Sequence, residues 1–369
     1  MTKKIIVYYP FQLKTGDSGS GVRPTQMLKA FHELANEQGF ECLEVIGNAE
    51  ERKERLRKIY KEVNPNDILY CYMENQTIPI WLTDPDHIPR HPTVDHGFFK
   101  YLKKNKIPLG IFYRDIYWKF KDLYKVKPIL KTIMIRLFEI ELFLYKKYAK
   151  KIFLPSLEMN NYVKIPENQV YPSPPGGIDR TEITDKQGTE KVRAIYVGGI
   201  DPRYGVYEVL EAFKQLNKDT TYIELSFVCR EKEFNTFKGF LEPYLDEDWL
   251  NIHHAHGEAL LPIYKEADFG IVTLKRGTYN DFAVPVKLFE YLSFGLPVLA
   301  TDCTALQKIV EQDKIGLIVK DNSNSIHGGL QEMLDSTKRN ILKQNSVSAL
   351  KGKHLWLQRA KDIQNELLS

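Results

Sequence analysis

A strand-like apolar segment followed by a helix-like segment recurs along both halves of this chain. Residues 5–9 and 192–197 are apolar runs of strand length, and each precedes a glycine-rich stretch and then apolar residues at helical spacing. Apolar runs with little polar alternation are typical of strands covered on both faces, as in parallel sheets. Strands and helices that alternate in this way predict an α/β fold with two Rossmann-like domains.

The segment 172–179 marks the boundary between the two halves. It reads Pro-Ser-Pro-Pro-Gly-Gly-Ile-Asp, and a stiff, turn-rich connector of this kind is typical of a domain boundary. A chain of 369 residues is also long for one domain and comfortable for two. We therefore predict an N-terminal domain over residues 1–172, a C-terminal domain over 173–350 and a terminal helix over 351–369.

The segment 281–302 carries the most informative side chains. It predicts a loop, a short helix with Pro285 in its first turn, and a buried strand. Lys287 and Glu290 are three positions apart, so they share one helix face near the positive N-terminus. An ammonium and a carboxylate beside free N–H donors could hold a phosphate and a sugar hydroxyl together. An ordinary surface ion pair is the alternative.

The same segment resembles a known donor site. Its pattern, Pro285-x-Lys287-Leu-Phe-Glu290 followed by Gly-x-Pro, is similar to the signature of family 4-type glycosyltransferases with the GT-B fold, as in bacterial surface-polysaccharide synthesis. The resemblance implies that Glu290 binds the nucleotide ribose. It also implies two domains facing across a cleft, with a C-terminal helix that returns to the N-terminal domain. The usual signature has a second glutamate where this chain has Phe282, with Asp281 beside it.

Two glycines follow the first strand of the second domain. The backbone N–H groups of Gly198 and Gly199 could cradle the phosphates of a donor. The resembled family has cations at the positions of Gly199 and Tyr204. We therefore expect Arg203 and Arg230, together with Lys287, to neutralise the donor diphosphate.

The first domain has its own glycine-rich stretch, Gly19-Ser20-Gly21, after its first strand. A loop between a strand and a helix N-terminus is a natural place for an anion or a sugar. The resemblance implies that this loop lies at the cleft, near the donor phosphates or the acceptor. A flexible surface turn is the alternative.

Arg114 and Asp115 follow a predicted strand at residues 108–113. The carboxyl end of a parallel strand is where α/β proteins place groups that contact ligands. We predict that Arg114 pairs with a phosphate or an acidic sugar and that Asp115 orients or deprotonates an acceptor hydroxyl. A local interaction between the two that caps the next segment is the alternative.

Residues 103–151 are strongly basic, with 14 lysines and arginines against four acidic residues. Aromatic residues that look exposed, among them Tyr117, Trp118 and Tyr124, are interleaved with them. Such a surface would be attracted to an anionic bilayer. The alternative is that the helix in this segment packs in the domain, with Ile140 among its core-facing residues and its lysines solvated.

Composition limits the remaining classes. A net charge of +4 is too mild to indicate nucleic-acid binding. The four cysteines are scattered and form no Cys-x-x-Cys pair, which favours free thiols in a cytoplasmic protein. The N-terminus is too short and too polar for a signal peptide, and no run reaches the ~20 apolar residues that span a bilayer.

The residues and the resemblance together predict a metal-independent glycosyltransferase. It would move a sugar from a nucleotide-diphosphate sugar, with a UDP-sugar favoured, to a hydroxyl of a lipid-linked glycan, retaining the anomeric configuration. The nucleotide-sugar is a substrate, and no cofactor is expected. Peripheral contact with the inner face of the plasma membrane fits the basic segment. Because Phe282, Gly199 and Tyr204 replace polar groups of the resembled family, a non-catalytic nucleotide-sugar or glycan-binding homologue is the alternative.

Overall fold

The computed structural model describes residues 2–13, 19–181 and 191–369. The chain divides into two units: Met1–Pro174 with Trp356–Ser369, and Pro175–Leu355. The division falls inside the turn-rich segment 172–179. No helix in the described ranges is long and apolar enough to cross a membrane.

The first unit is built on six parallel strands. The strands are β1 (Lys4–Tyr9), β2 (Glu41–Ile46), β3 (Ile68–Glu74), β4 (Leu109–Phe112), β5 (Lys151–Leu154) and β6 (Val170–Pro172). The helices are α1 (Gly19–Gln38), α2 (Ala49–Glu62), α3 (Val94–Lys104), α4 (Pro128–Tyr148), α5 (Asn160–Val163) and the terminal helix α13 (Trp356–Leu368). The strand order is β2-β1-β3-β4-β5-β6.

The core of the first unit explains the return of the terminal helix. β1 is buried along five of its six residues, as its apolar run predicts. Met27 and Phe31 of α1, with Ile363 and Leu367 of α13, pack on the same face of the sheet. The prediction that the C-terminal helix returns to the first domain is therefore confirmed.

The second unit is also built on six parallel strands. The strands are β7 (Val192–Val197), β8 (Ile223–Val228), β9 (Leu250–His253), β10 (Phe269–Val272), β11 (Val298–Thr301) and β12 (Gly316–Val319). The helices are α6 (Val206–Leu216), α7 (Glu231–Leu241), α8 (Leu261–Glu266), α9 (Val286–Ser293), α10 (Thr304–Asp313), α11 (Ser323–Met333) and α12 (Ser336–Ala349). Helices cover both faces of the sheet.

The strand order of the second unit is β12-β11-β10-β7-β8-β9. This is the doubly wound Rossmann order, in which the winding direction reverses between β7 and β10. The first sheet reverses between β1 and β3. Ligands of open α/β sheets bind outside the carboxyl ends of the strands at such switch points. Two Rossmann-like domains are thus confirmed, and each has one edge suited to a ligand.

The aromatic residues of the basic segment are placed differently from the prediction. Trp118 and Tyr124 are buried and pack with Met134 and Phe138 of α4. The Trp118 and Phe138 rings stack with their centroids 5.0 Å apart. The predicted core-facing Ile140 is instead 49% exposed. Both predictions are wrong, because α4 has apolar residues on two faces and spacing alone does not tell which face meets the sheet.

Candidate functional site

The carboxyl edge of the second sheet gathers most of the predicted donor residues. Gly198 directly follows β7, and Arg230 lies two residues beyond β8. Lys287 and Glu290 belong to α9, which follows β10 through a loop and has Leu288, Tyr291 and Leu292 in the core. The sequence pattern of α9 thus turns its apolar side inward and leaves Lys287 and Glu290 beside the switch point of this sheet.

Lys287 carries a buried ammonium group. Its Nζ atom has no hydrogen-bond partner within the described residues, and it lies 4.2 Å from the centroid of the Tyr196 ring. The glycine loop is close, since a Cβ placed on Gly198 would lie 3.5 Å from Nζ. Burial lowers the pKa of Lys287 to about 7, while the Glu290 carboxylate opposes this shift. A buried cation without a partner is costly, which makes this group a candidate to receive an anion.

Glu290 is held by a residue that sequence reasoning did not select. The Tyr264 hydroxyl donates to Oε2 of Glu290 at 3.4 Å. Burial raises the pKa of Glu290, and the Tyr264 hydrogen bond and the charge of Lys287 oppose that shift. The described part of the chain shows no ion pair between Lys287 and Glu290. The surface ion pair that the spacing allowed is therefore not what the structure contains.

The Gly198–Gly199 loop uses several of its polar groups internally. The Gly198 N–H donates to the Val228 carbonyl at 3.0 Å, and the Ile200 N–H donates to Oε2 of Glu233 at 3.2 Å. The Gly199 carbonyl accepts from the Tyr196 hydroxyl at 2.7 Å. The loop is held in a fixed shape and offers a phosphate fewer amides than the sequence indicates. Lys287 is the cation placed beside it.

Arg203 and Arg230 are both more exposed than Lys287. Nε of Arg203 lies 2.8 Å from Oδ1 of Asp201, and half of its side chain is exposed. Arg230 is 3.6 Å from Glu233, the residue that also holds the glycine loop. A diphosphate that engaged these arginines would compete with an acidic partner in each case. Their role in donor binding stays a prediction.

The positions around the start of α9 differ from the expectation in two respects. Pro285 immediately precedes α9 with an extended backbone, so it lies outside the first turn in which it was predicted. Phe282 is buried and packs against the Tyr279 ring, with centroids 5.0 Å apart. The position of the second signature glutamate is thus apolar. Its neighbour Asp281 pairs with Arg276, whose Nε lies 2.7 Å from Oδ1.

The carboxyl edge of the first sheet contains two arginines around one buried carboxylate. Glu74 ends β3 and is 0% exposed. Nε of Arg23 is 3.3 Å from Oε1 of Glu74, and Nη2 of Arg114 is 3.0 Å from Oε2. The Tyr72 hydroxyl also donates to Oε1, at 2.8 Å. Sequence reasoning missed Glu74, although an acidic residue at the end of an apolar strand was a usable signal.

Asp115 is engaged by the backbone rather than by Arg114. Its Oδ1 accepts the N–H groups of Ile116 and Tyr117 at 2.6 and 3.0 Å. The capping interaction that the sequence left as an alternative is therefore present, but it is made by Asp115, while Arg114 pairs with Glu74. Catalytic roles for these two residues stay predictions.

Gly19, Ser20 and Gly21 begin helix α1 and do not form the predicted loop. Glycine and serine are favoured at the start of helices, so the same residues suit either conformation. Residues 14–18, which complete the glycine-rich stretch, lie outside the described ranges. The predicted loop conformation at these three positions is corrected to a helix N-terminus, and their place at a cleft stays a prediction.

The histidine, acidic and cysteine side chains of the described residues suggest neither a metal site nor a disulfide. In the described ranges no group of three or more His, Cys, Asp or Glu side chains could hold a metal ion. The four cysteines are free thiols, and Cys71, Cys229 and Cys303 are buried. Burial raises the pKa of the Cys229 and Cys303 thiols to about 12, which makes them poor nucleophiles.

One part of the chain matches a known protein family. Residues 179–348, nearly all of the second unit, match the family model of glycosyl transferases group 1. The match includes the whole of the candidate donor site, from Gly198 to Glu290. No curated protein matches the chain.

Solved structures resemble the chain along its full length. A glycosyltransferase from Rickettsia africae is 12% identical with a TM-score of 0.63, covering 100% of this chain and 99% of that one. Anabaena Alr3699/HepE, solved with UDP, is 10% identical with a TM-score of 0.64 and 99% coverage of both chains. A sucrose-phosphate synthase from Thermosynechococcus elongatus is 15% identical with a TM-score of 0.58, covering 99% and 98%.

At such low identity these similarities establish the fold. The chain therefore has the GT-B glycosyltransferase fold, and its residues 179–348 match the group 1 glycosyl transferase family.

Proposed function

We propose that this protein is a glycosyltransferase that moves a sugar from a nucleotide-diphosphate sugar to an acceptor hydroxyl. The observation that carries the proposal is the buried Lys287 ammonium, without a hydrogen-bond partner in the described chain, beside Gly198 at the switch point of the second sheet. A donor diphosphate would supply the missing anion. Glu290, on the same helix, would accept a hydrogen bond from a ribose hydroxyl.

The reaction breaks the bond between the anomeric carbon and the diphosphate oxygen and forms a bond from that carbon to the acceptor oxygen. The acceptor proton passes to a base or to the departing diphosphate. Negative charge grows on the diphosphate, so Lys287, Arg203, Arg230 and the N-terminus of α9 after Pro285 would stabilise the transition state. Positioning of the two substrates and these cations would supply the catalysis, so we propose a reaction without a metal ion. We also propose that the transferred sugar retains its anomeric configuration.

On the acceptor side we assign roles to Arg114 and Asp115. Glu74 fixes the Arg114 guanidinium, which would meet a phosphate or an acidic group of the acceptor. Asp115, fixed by two backbone N–H groups, would orient the hydroxyl that attacks. The acceptor in this proposal is a lipid-linked glycan of a surface polysaccharide, met at the inner face of the plasma membrane.

Two similar structures support the finer parts of the proposal. Anabaena Alr3699/HepE was solved with UDP and with UDP-glucose, which favours a UDP-sugar as the donor here. WaaG, described as a glycosyltransferase of lipopolysaccharide biosynthesis, has a TM-score of 0.54 at 13% identity and favours a surface-polysaccharide role.

A non-catalytic nucleotide-sugar or glycan-binding protein is the second candidate. Phe282 is apolar and buried where the resembled signature has a glutamate, and Gly199 and Tyr204 replace two cations. Such a protein would keep the Lys287 site but lack groups that act on the sugar.

A donor panel separates the two candidates. Hydrolysis and binding are measured with UDP-, GDP-, dTDP- and CMP-sugars, with Glu290→Ala as the variant and Glu258→Ala, on the surface of the same unit, as the matched control. Turnover of one donor that is lost only in Glu290→Ala supports the transferase. If a donor binds but is not turned over with any acceptor tested, the non-catalytic binding protein is supported. If no donor binds, both candidate functions are contradicted.

A further inference from the structure

The outward face of α4 carries apolar side chains that no described residue covers. Ile129, Ile133, Ile140 and Phe143, which we call the α4 stripe, are 81%, 52%, 49% and 63% exposed. Their spacing of three, four and seven positions places them in one row along the helix. The opposite side of α4 is buried. An exposed apolar row on a long helix is typical of an interaction surface rather than of a solvated one.

Cationic side chains lie in the row of the α4 stripe and in the segment that precedes the helix. Arg136 lies within the row, 2.8 Å from Glu139, and Lys147 continues the row at the end of the helix. Further exposed lysines precede the helix, at positions 119, 121, 125 and 127. The exposed acidic residues of the same region are Asp122 and Glu139. The helix and the segment before it therefore combine an exposed apolar row with an excess of exposed positive charge.

The one other carboxylate of α4 does not reduce this positive charge. Glu141 is buried on the inner side, where its oxygen Oε1 accepts the Ile80 N–H at 2.8 Å and the Tyr145 hydroxyl at 2.9 Å. Burial raises its pKa to about 8, so it is mostly protonated at neutral pH.

We propose that the α4 stripe docks on an anionic lipid bilayer. The helix would lie in the plane of the interface, with the stripe in the acyl boundary and the lysines and Arg136 at the phosphate headgroups. A second copy of the chain fits less well, because two stripes placed face to face would bring their cations together. The surface differs from the one the sequence predicted, since Trp118 and Tyr124 are buried.

The biological role of this membrane contact rests on the proposed function, because a lipid-linked acceptor would be reached at the bilayer surface. The binding itself can be tested without any sugar transfer.

The test is co-sedimentation of the full chain with phosphatidylcholine vesicles, with and without about one third phosphatidylglycerol. We expect at least about tenfold stronger binding to the anionic vesicles. The double variant Ile133→Ser/Phe143→Ser should lose at least about tenfold of that binding. Ile341→Ser, which removes an equally exposed isoleucine from α12, should bind as the unchanged protein does.

The circular dichroism spectrum and the urea midpoint of the double variant serve as the folding control and should be unchanged. Equal binding to both vesicle types, or binding that survives the double variant, overturns the proposal. If the protein does not bind vesicles but forms a dimer, and the double variant is monomeric, the stripe is an interface between two copies of the chain. This outcome also overturns the proposal. Failure of the donor panel with intact vesicle binding contradicts only the proposed function.

Discussion

The buried charged groups at the carboxyl edges of the two sheets differ in whether they have partners within the described chain. In the first unit Glu74 is buried between Arg23 and Arg114, at 3.3 and 3.0 Å. In the second unit Nζ of Lys287 is buried with no hydrogen-bond partner in the described chain. A buried charge satisfied within the fold is part of the scaffold, whereas one without a partner lowers stability and is a common mark of a functional site. The first edge is satisfied within the fold, and in our proposal the second is completed by the donor diphosphate.

The largest effect is expected from breaking the satisfied cluster. Glu74→Gln removes the buried carboxylate that both guanidinium groups share, so the free energy of unfolding should fall by about 3–5 kcal/mol. Urea unfolding of the variant measures the loss. Glu139→Gln, which removes an exposed ion pair on α4, should stay within about 0.5 kcal/mol of the unchanged protein. Equal losses in the two variants would contradict the contrast between the edges.

Removing the unsatisfied charge should have the opposite effect on stability. Lys287→Met replaces a buried ammonium by an apolar chain of similar volume, so the free energy of unfolding at pH 6 should rise by about 1–2 kcal/mol. Donor affinity should fall at least about 100-fold, because the cation that meets the diphosphate is gone. Lys214→Met, at an exposed ion pair of the same unit, should change neither quantity. A variant that is destabilised yet still binds the donor would assign Lys287 to structure.

The pH dependence of donor binding sharpens the same point. With the pKa of Lys287 near 7 in the empty site, the ammonium form is lost as pH rises above 7. In our proposal the donor diphosphate requires that form, so its dissociation constant should increase by up to about tenfold per pH unit between pH 7.5 and 9. Titration calorimetry at several pH values measures the slope. A flat profile over this range would show that the lysine does not meet the diphosphate.

Glu141 provides the smallest test, because it is a buried acid of the first unit whose hydrogen-bond donors include the neutral Ile80 amide and Tyr145 hydroxyl. Its folded pKa of about 8 lies above the ordinary value of 4.5, so the folded state prefers the protonated form. The stability it contributes is complete below pH 4.5 and is lost as pH rises toward 8. Because glutamine does not ionise, Glu141→Gln should lose most of this decline, as followed by unfolding at pH 5 and pH 8. An identical pH slope in both proteins would contradict this assignment.

The regular parts of the fold could be predicted because the pattern of apolar residues in the sequence indicates which faces are buried. The apolar runs gave β1 and β7, and the spacing of apolar residues gave α9 with Lys287 and Glu290 on one face. The two edge strands of the first sheet were missed. β2 is a short strand interrupted by two glutamates, and β6 has only three residues, one of them a proline.

The remaining errors have a common physical cause. The burial of Trp118 and the exposure of Ile140 depend on which face of α4 meets the sheet, and a helix with two apolar faces does not encode that choice locally. The pairing of Arg23 with Glu74 joins residues far apart in sequence. Gly19 could start a helix or lie in a loop with equal ease. Each outcome is decided by tertiary packing.

The pKa of Lys287 itself tests the central claim most directly. NMR of protein labelled at the lysine side chains, with Lys287→Met to assign the signal, follows this group with and without a nucleoside diphosphate. We predict a pKa near 7 in the empty protein and a rise of at least about two units when the diphosphate binds. An ordinary value near 10.5 in the empty protein, or no change with any nucleotide, would contradict the proposal that this buried ammonium awaits a donor diphosphate.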